Sequence, residues 1–307
     1  MIKAFVFPGQ GSQAVGMLSD SQPEVGPLFK RASDVLGYDL WELTQNGPED
    51  RLNATEFTQP ALLTASYALW LVAKNAGLTA DFVAGHSLGE YSALVASEVI
   101  AFEDAVKLVQ TRGQLMQAAV PIGEGGMAAI MGLADDQVAS ICEAVTLEAD
   151  GSVEPANLNA PGQIVISGTK AALETACAQC LDSGAKRAVP LNVSAPFHSR
   201  LMAGAAEQMA TALESVAFSA PRISVVQNVV AETVSDPSVI RNNLVAQMVG
   251  AVRWTESIQY LVGSGVETFI ECGPGKVLSG LIKRIERQVN TEQVGSASAA
   301  LLASADQ

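Results

Sequence analysis

Short apolar runs alternate with longer amphipathic stretches along this chain, an order typical of an α/β fold. The runs predict strands at 4–7, 82–84, 127–132, 163–167, 188–193, 223–228 and 268–271. The amphipathic stretches predict helices at 24–36, 60–76, 90–96, 103–119, 135–144, 170–183, 201–216 and 276–289, with further helical segments in 239–262. The tail from Asn290 onward is small and polar, and we expect it to be loosely held.

The pattern of predicted strands and helices changes after the glycine-rich segment 123–126. The next stretch reads strand, helix, strand, helix, strand over about seventy residues, which is enough for a small unit inserted into a larger one. We therefore predict a large domain formed by 1–122 and 196–307, with a small subdomain at 123–195.

Composition narrows the possible functions. The 307 residues are 49% hydrophobic and 16% charged, as expected of a folded globular protein. The net charge of −14 disfavours binding to nucleic acid or to anionic membranes. The apolar start is too short for a secretory signal, and no run approaches membrane-spanning length. We expect a cytoplasmic protein with four reduced cysteines.

Three small motifs are weak candidates for cofactor or metal binding. Cys177 and Cys180 lie within a predicted helix, where helix packing explains them better than redox or zinc chemistry. The turn at 9–14 fits a dinucleotide fingerprint, but the region that should supply its second strand is predicted to be helical. The turn at 273–276 lacks the upstream glycine and following Ser or Thr of a phosphate loop. We predict neither a cofactor nor a metal.

Ser87 is the strongest candidate for chemistry. It lies in the sequence GHSLG at 85–89, between a predicted strand and a predicted helix. Glycines on both sides permit a tight turn that exposes the hydroxyl at the helix N-terminus. Unpaired N–H groups and the helix dipole stabilise an oxyanion there, so the pattern indicates acyl transfer through Ser87.

An activated serine needs a base, and the chain has two histidines. His86 adjoins Ser87 within the turn, so its side chain should point elsewhere and support the turn. His198 remains, in the loop SAPFHS at 194–199 between a strand and a helix. A lone histidine in a loop is usually an ordinary surface residue. Because His198 is the one eligible partner for Ser87, however, we favour it as the base.

Arg112 breaks the apolar face of the predicted helix 103–119, which otherwise carries alanine, leucine, valine and methionine. A guanidinium on a buried stripe costs several kcal/mol unless an anion meets it. An internal salt bridge, a side chain that reaches the surface, or a site for a substrate carboxylate would each satisfy it, and spacing alone does not choose among them.

Several longer motifs resemble bacterial malonyl-CoA:acyl carrier protein transacylases, over about residues 2–287. They are FPGQGSQ at 7–13, GHSLGEYSA at 85–93, TRG at 111–113, NLNAPGQ at 157–163, the loop that contains His198, and ECGPGK at 271–276. The resemblance implies an α/β fold in which an α/β-hydrolase-like large domain carries a ferredoxin-like subdomain.

The resemblance also implies roles for individual residues. Ser87 would be acylated, His198 would be the general base, and Arg112 would bind the malonyl carboxylate. The backbone N–H groups of Gln10 and Leu88 would form the oxyanion hole.

Three further residues complete the implied site. The carbonyl of Gln247 would orient the histidine. Met116, which follows Arg112 on the same helix face, and Phe197 would line the substrate site. A bulky Phe197 would reject an α-methyl branch, although simple packing of the loop explains it equally well.

The implied reaction moves malonyl from malonyl-CoA to the phosphopantetheine thiol of acyl carrier protein through malonyl-serine, for fatty-acid synthesis, with no cofactor. Polyketide synthesis, a serine esterase or thioesterase, and a non-catalytic scaffold are the alternatives.

We expect a monomer with a basic surface patch that binds the carrier protein. That patch would comprise Lys186, Arg187, Lys276, Lys283, Arg284 and Arg287.

Overall fold

The computed structural model describes residues 2–148, 151–193 and 195–305, and in these the fold is mixed α/β with two sheets. The strands are β1 Ile2–Phe7, β2 Phe82–Gly85, β3 Gly125–Met131, β4 Val153–Ala160, β5 Gln163–Thr169, β6 Arg187–Pro190, β7 Ser224–Gln227, β8 Glu232–Thr233, β9 Val266–Cys272 and β10 Asn290–Val294. The helices are α1 Gln22–Leu36, α2 Leu40–Asn46, α3 Glu49–Asn53, α4 Thr55–Asn75, α5 Gly89–Ala96, α6 Phe102–Ala118, α7 Asp135–Glu148, α8 Lys170–Asp182, α9 Ala203–Glu214, α10 Pro237–Val249, α11 Trp254–Gly263, α12 Val277–Ile285 and α13 Ala297–Ala305. No helix of the described part is long and apolar enough to cross a membrane.

The larger sheet runs in the order β10-β9-β1-β2-β7-β8 and is parallel except for its last pair. Its central strand β1 is almost continuously apolar, as expected of a parallel strand that is covered on both faces. Phe7 pairs with Gly85 at the carboxyl ends of β1 and β2. The loops that follow these two strands therefore leave the sheet side by side.

The smaller sheet is antiparallel in the order β4-β5-β3-β6. Side chains of β3 and β5 alternate between two cores because successive strand residues point to opposite faces. Ile130 and Ile166 pack with the helices α7 and α8, whereas Met127 and Val165 join the core of the larger sheet. One face of the small sheet is thus turned toward the loops that follow β1 and β2.

The predicted strands and helices are largely confirmed, although the short helices α2 and α3 and the strand β8 were not predicted. Two further regions differ. We did not predict β4, which contains Pro155, Asn157 and Asn159 and pairs with two register shifts. Its polar, irregular sequence hides the alternation that marks a strand. The prediction of a loosely held tail was wrong, since β10 pairs with β9 and Ala300 is fully buried against the core.

The cysteines of the predicted C-x-x-C lie on α8, where Cys180 is buried in the small core and Cys177 packs against it. This placement agrees with the packing interpretation.

Candidate active site

Ser87 occupies a strained turn between β2 and α5. Its φ of 51° lies in the left-handed region, which a residue with a side chain rarely adopts. A Cβ on Gly85 would lie 1.9 Å from the backbone of Gly89, and one on Gly89 would lie 2.1 Å from the carbonyl oxygen of Phe7. Only glycine fits at either position, so the turn is as tight as the sequence predicts.

His198 lies directly beside Ser87. The Nε2 atom of His198 is 2.7 Å from Ser87 Oγ, and its Nδ1 atom is 2.7 Å from the carbonyl oxygen of Gln247 on α10. A carbonyl oxygen only accepts, so Nδ1 must carry the hydrogen and Nε2 is free to accept the serine proton. The fold brings Ser87, His198 and Gln247 together from three separate segments of the chain. Ser194, at the start of the histidine loop, lies outside the described residues.

The protonation state of His198 suits a base. The imidazole is 4% exposed. Burial, reinforced by the positive charge of Arg112, lowers the pKa of His198 to about 3. The side chain is therefore neutral at pH 7 and able to accept a proton.

Arg112, on α6, is 1% exposed and meets neutral oxygens instead of a carboxylate. Its NH1 donates to Gln59 Oε1 at 2.9 Å, and its NH2 donates to Gln247 Oε1 at 2.9 Å and to Ser87 Oγ at 3.2 Å. Its Nε has no hydrogen-bond partner in the described part of the chain. Of the three arrangements that the sequence allows for this arginine, neither an internal salt bridge nor a side chain reaching solvent is present among the described residues.

A cavity of about 110 Å³, partly open to the surface, adjoins these groups. Its lining comprises Gln10, Gln59, His86, Ser87, Leu88, Arg112, Met116, Met127, Asn157, Leu191, Val193, Phe197 and His198. The share of one water in the liquid is about 30 Å³, so the cavity has room for a small acyl group but not for a long chain. Met116 and Phe197 are 2% and 6% exposed and form part of its apolar wall.

Gln10 and Leu88 reach the cavity from the loops after β1 and β2. Neither backbone N–H donates to another group within the described residues. Two free donors beside a serine hydroxyl are what a developing oxyanion requires.

His86 points away from Ser87. Its Nε2 is 2.7 Å from Asn159 Oδ1 on β4, and its ring packs edge-on against Trp254 on α11. This histidine therefore ties the serine turn to the small sheet, in agreement with the supporting role that we predicted.

Three buried polar residues around Ser87 were not singled out from the sequence. Gln59 contacts Arg112, Asn228 contacts the serine turn, and Glu90 contacts Asn228. A signal existed for Glu90 alone, because a carboxylate three positions after the serine interrupts an otherwise apolar helix.

The six basic residues of the predicted carrier-protein patch are all exposed. Arg284 on α12 donates from NH1 to Gln163 Oε1 at 2.6 Å, and Met131 pairs with both Gln163 and Arg187 across the small sheet. The α12 part of the patch thus contacts β5, which is separated from β6 by the one strand β3 in the small sheet. In the described part of the chain none of the six pairs with a carboxylate.

No group of three or more His, Cys, Asp or Glu side chains among the described residues is placed to hold a metal ion.

Comparisons with known proteins identify the family. Residues 4–303 match the acyl transferase domain. The malonyl CoA-acyl carrier protein transacylase of Salmonella typhimurium is 54% identical over 287 residues, which are 92% of each chain. The acyl-carrier-protein S-malonyltransferase of Burkholderia pseudomallei superposes with a TM-score of 0.96 at 50% identity, covering 99% of this chain and 100% of that one.

A second solved structure contains a protein partner. It is a type II PKS acyl-carrier protein in complex with its malonyl-transacylase, with a TM-score of 0.97 at 46% identity and complete coverage of both chains. The chain belongs to the acyl transferase family, among the malonyl CoA-acyl carrier protein transacylases.

Proposed function

We propose that this acyltransferase moves malonyl from malonyl-CoA to the phosphopantetheine thiol of acyl carrier protein through a covalent malonyl-Ser87, supplying fatty-acid synthesis. One observation carries the proposal. Ser87 Oγ lies within hydrogen-bond distance of both a neutral histidine and a buried arginine that no carboxylate contacts in the described chain. The first group activates a nucleophile, and the second binds a substrate anion. The names of the relatives support the same substrate pair.

In the first half-reaction His198 Nε2 accepts the proton of Ser87 as Oγ bonds to the thioester carbon. The carbonyl π electrons move to oxygen, and the N–H groups of Gln10 and Leu88 stabilise that oxyanion. The oxyanion then re-forms the carbonyl, the carbon–sulfur bond breaks, and the imidazolium returns its proton to the CoA sulfur. Free CoA thiol leaves, and malonyl remains esterified to Ser87.

The second half-reaction runs the same steps with the carrier-protein thiol. Its proton passes to His198 as sulfur attacks the ester carbon, and Ser87 leaves with that proton. Thiols attack acyl groups better than water does, and a small cavity with an apolar wall limits the water that is available. Transfer is thereby favoured over hydrolysis.

Arg112 would bind the free carboxylate of the malonyl group. Its Nε has no partner among the described residues, and its NH2 supplies the second donor of a two-point contact with a carboxylate when it releases Ser87 Oγ. We also assign Met116 and Phe197 to the apolar wall that limits acyl size.

The esterase alternative is less well supported. Such enzymes orient the histidine with a carboxylate, whereas His198 Nδ1 contacts the carbonyl of Gln247. A transacylase of polyketide synthesis remains the second candidate, and the structural match to a type II PKS complex favours it. Both candidates use the same chemistry, and only the preferred carrier protein separates them.

Labelling with malonyl-CoA tests the function. We expect the chain to take up one malonyl group, which mass spectrometry of peptides places on Ser87, and to lose it when holo-acyl carrier protein is added. Steady release of malonate without a labelled intermediate would indicate a hydrolase. A chain that neither binds label nor consumes malonyl-CoA would be a scaffold.

We further propose that the two sheets define two units, an α/β-hydrolase-like domain at 1–122 and 196–307 and a ferredoxin-like subdomain at 123–195. The support for the second is its element order β3-α7-β4-β5-α8-β6 and its antiparallel sheet. These boundaries place the cavity between the units, since Met127, Asn157 and Leu191 line it from the small one.

The basic patch is our candidate surface for the carrier protein. Reversing Lys283 and Arg284 to glutamate should raise KM for carrier protein about tenfold, because lost attraction and new repulsion slow association, while KM for malonyl-CoA changes less than about twofold. Steady-state kinetics with each substrate varied measures both. The matched control reverses Lys30 and Lys107, two exposed lysines outside the patch. Equal changes for both substrates would contradict the assignment.

A further inference from the structure

Asn228 follows β7, the neighbour of β2 in the large sheet. Val226 pairs with Ala84, so two residues further on Asn228 lies level with the serine turn. The side chain is 1% exposed. The order of strands in the sheet therefore places the buried side-chain amide of Asn228 beside Ser87.

The amide bonds both sides of the turn. Asn228 Oδ1 accepts from the backbone N–H of Ser87 at 2.8 Å, and Asn228 Nδ2 donates to the carbonyl oxygen of Gly85 at 2.7 Å. The two bonds enclose His86, and together they hold the backbone immediately before the left-handed residue. A single amide thus satisfies one backbone donor and one backbone acceptor of the turn.

A buried carboxylate holds Asn228 in turn. The backbone N–H of Asn228 donates to Glu90 Oε2 at 2.8 Å, and Gln227 Nε2 donates to Glu90 Oε1 at 3.0 Å. Glu90 is fully buried on α5. The end of β7 is therefore fixed to the helix that begins directly after the serine turn.

We propose that Asn228 is a positioning residue that holds Ser87 in its left-handed conformation. This inference rests on the proposed function of Ser87 as the acylated nucleophile. A φ of 51° is unfavourable at serine, so it persists only where neighbouring groups hold it. Without the amide, the backbone of Ser87 relaxes, and both Oγ and the N–H of Leu88 move from the positions that the reaction needs.

Gln247 bridges Asn228 and Arg112, since its Nε2 donates to Asn228 Oδ1 at 3.4 Å and its Oε1 accepts from Arg112 NH2, but Asn228 bonds the serine turn directly. Its two side-chain bonds to the turn go to backbone atoms, whereas Arg112 is bonded by Gln59, Gln247 and the serine hydroxyl. Loss of the amide should therefore slow acylation by malonyl and acetyl groups alike. That pattern distinguishes a disturbed nucleophile from a disturbed carboxylate site.

Burst kinetics of the Asn228→Ala variant test the proposal. The burst amplitude counts chains that can be acylated, and the burst rate constant reports how well Ser87 is placed. We expect an amplitude near that of the wild type with acylation slowed about 10- to 100-fold for malonyl-CoA and acetyl-CoA alike. A merely structural role would lower the amplitude and leave the rate constant unchanged, which would overturn the proposal.

Asn243→Ala is the matched control. Asn243 is a partly buried asparagine that donates to Gln227 Oε1 at 2.8 Å, one residue away from Asn228 in the hydrogen-bond network. Its rate constant should stay within about twofold of the wild type. An equal slowing in both variants would contradict a specific role for Asn228.

A second variant covers the case in which Asn228→Ala does not fold. Asn228→Asp has the same shape and keeps an acceptor for Ser87 N–H, but it sets an oxygen against the carbonyl of Gly85. Acylation should then slow about tenfold. An unchanged rate constant in a folded Asn228→Asp would overturn the proposal, whereas a wild-type chain that shows no malonyl burst would overturn the proposed function itself.

Discussion

Replacing Ser87 by alanine is expected to lower malonyl transfer about 10⁴- to 10⁶-fold, because no other group can form the acyl intermediate. Ser87 Oγ is the one hydroxyl that the described structure places against the imidazole of His198. The measurement is transfer of labelled malonyl to carrier protein, together with the mass of the intact chain after exposure to malonyl-CoA. The variant should gain no mass.

Ser92→Ala is the control for this prediction. Ser92 lies on α5, is 1% exposed, and its Oγ has no hydrogen-bond partner among the described residues. It is buried on the helix that follows Ser87 but is not one of the residues that line the cavity. Its activity should remain within about threefold of the wild type. Substantial transfer by Ser87→Ala would show that the acyl group is carried elsewhere or passes directly between thiols.

The serine turn was the most predictable part of this site. Gly85 and Gly89 enclose Ser87, and the flanking runs have the right period for a strand and a helix. Steric exclusion then leaves the backbone of the turn little conformational freedom, as the close approach of other backbone atoms to both glycines shows. His198 could be inferred because the sequence offers one other histidine, but its distance from Ser87 could not.

The environment of Arg112 was only half predictable. Its place on an apolar helix face predicts burial, and burial is observed. The guanidinium donates hydrogen bonds to Gln59 and Gln247, which lie 53 and 135 positions away along the chain. Amides at such separations carry no local signal, so the sequence left three arrangements open.

The parts that were missed have a common physical cause. The tail strand β10 and the amide of Asn228 are defined by bonds to other segments of the chain. The strand β4 forms a hairpin with the adjoining β5, but in an irregular register. None has the periodic hydrophobic pattern that predicts an element locally, because polar backbone or side-chain bonds define them. Long-range bonds of this kind appear only once the sheet order is known.

Removing the guanidinium should change which acyl group the enzyme prefers. In Arg112→Ala we expect kcat/KM for malonyl-CoA to fall about 30- to 5000-fold, the equivalent of about 2–5 kcal/mol for the loss of one partner of a buried charged contact. Acetyl-CoA has no carboxylate, so its kcat/KM should stay unchanged or rise. It should rise if an unpaired buried cation opposes the binding of a methyl group. Parallel steady-state assays with both thioesters give the ratio.

The ratio of kcat/KM for malonyl-CoA to that for acetyl-CoA is the decisive quantity. General damage to the fold lowers both activities and leaves their ratio unchanged. Arg241→Ala is the matched control. Arg241 packs on the Phe218 ring as Arg112 packs on the Tyr91 ring, and within the described residues the Nε of both arginines has no hydrogen-bond partner. Its malonyl-to-acetyl ratio should match that of the wild type. If Arg112→Ala lowers both activities equally, the arginine is a structural support for Gln59 and Gln247, and the proposed preference for a dicarboxylic acyl group loses its physical basis.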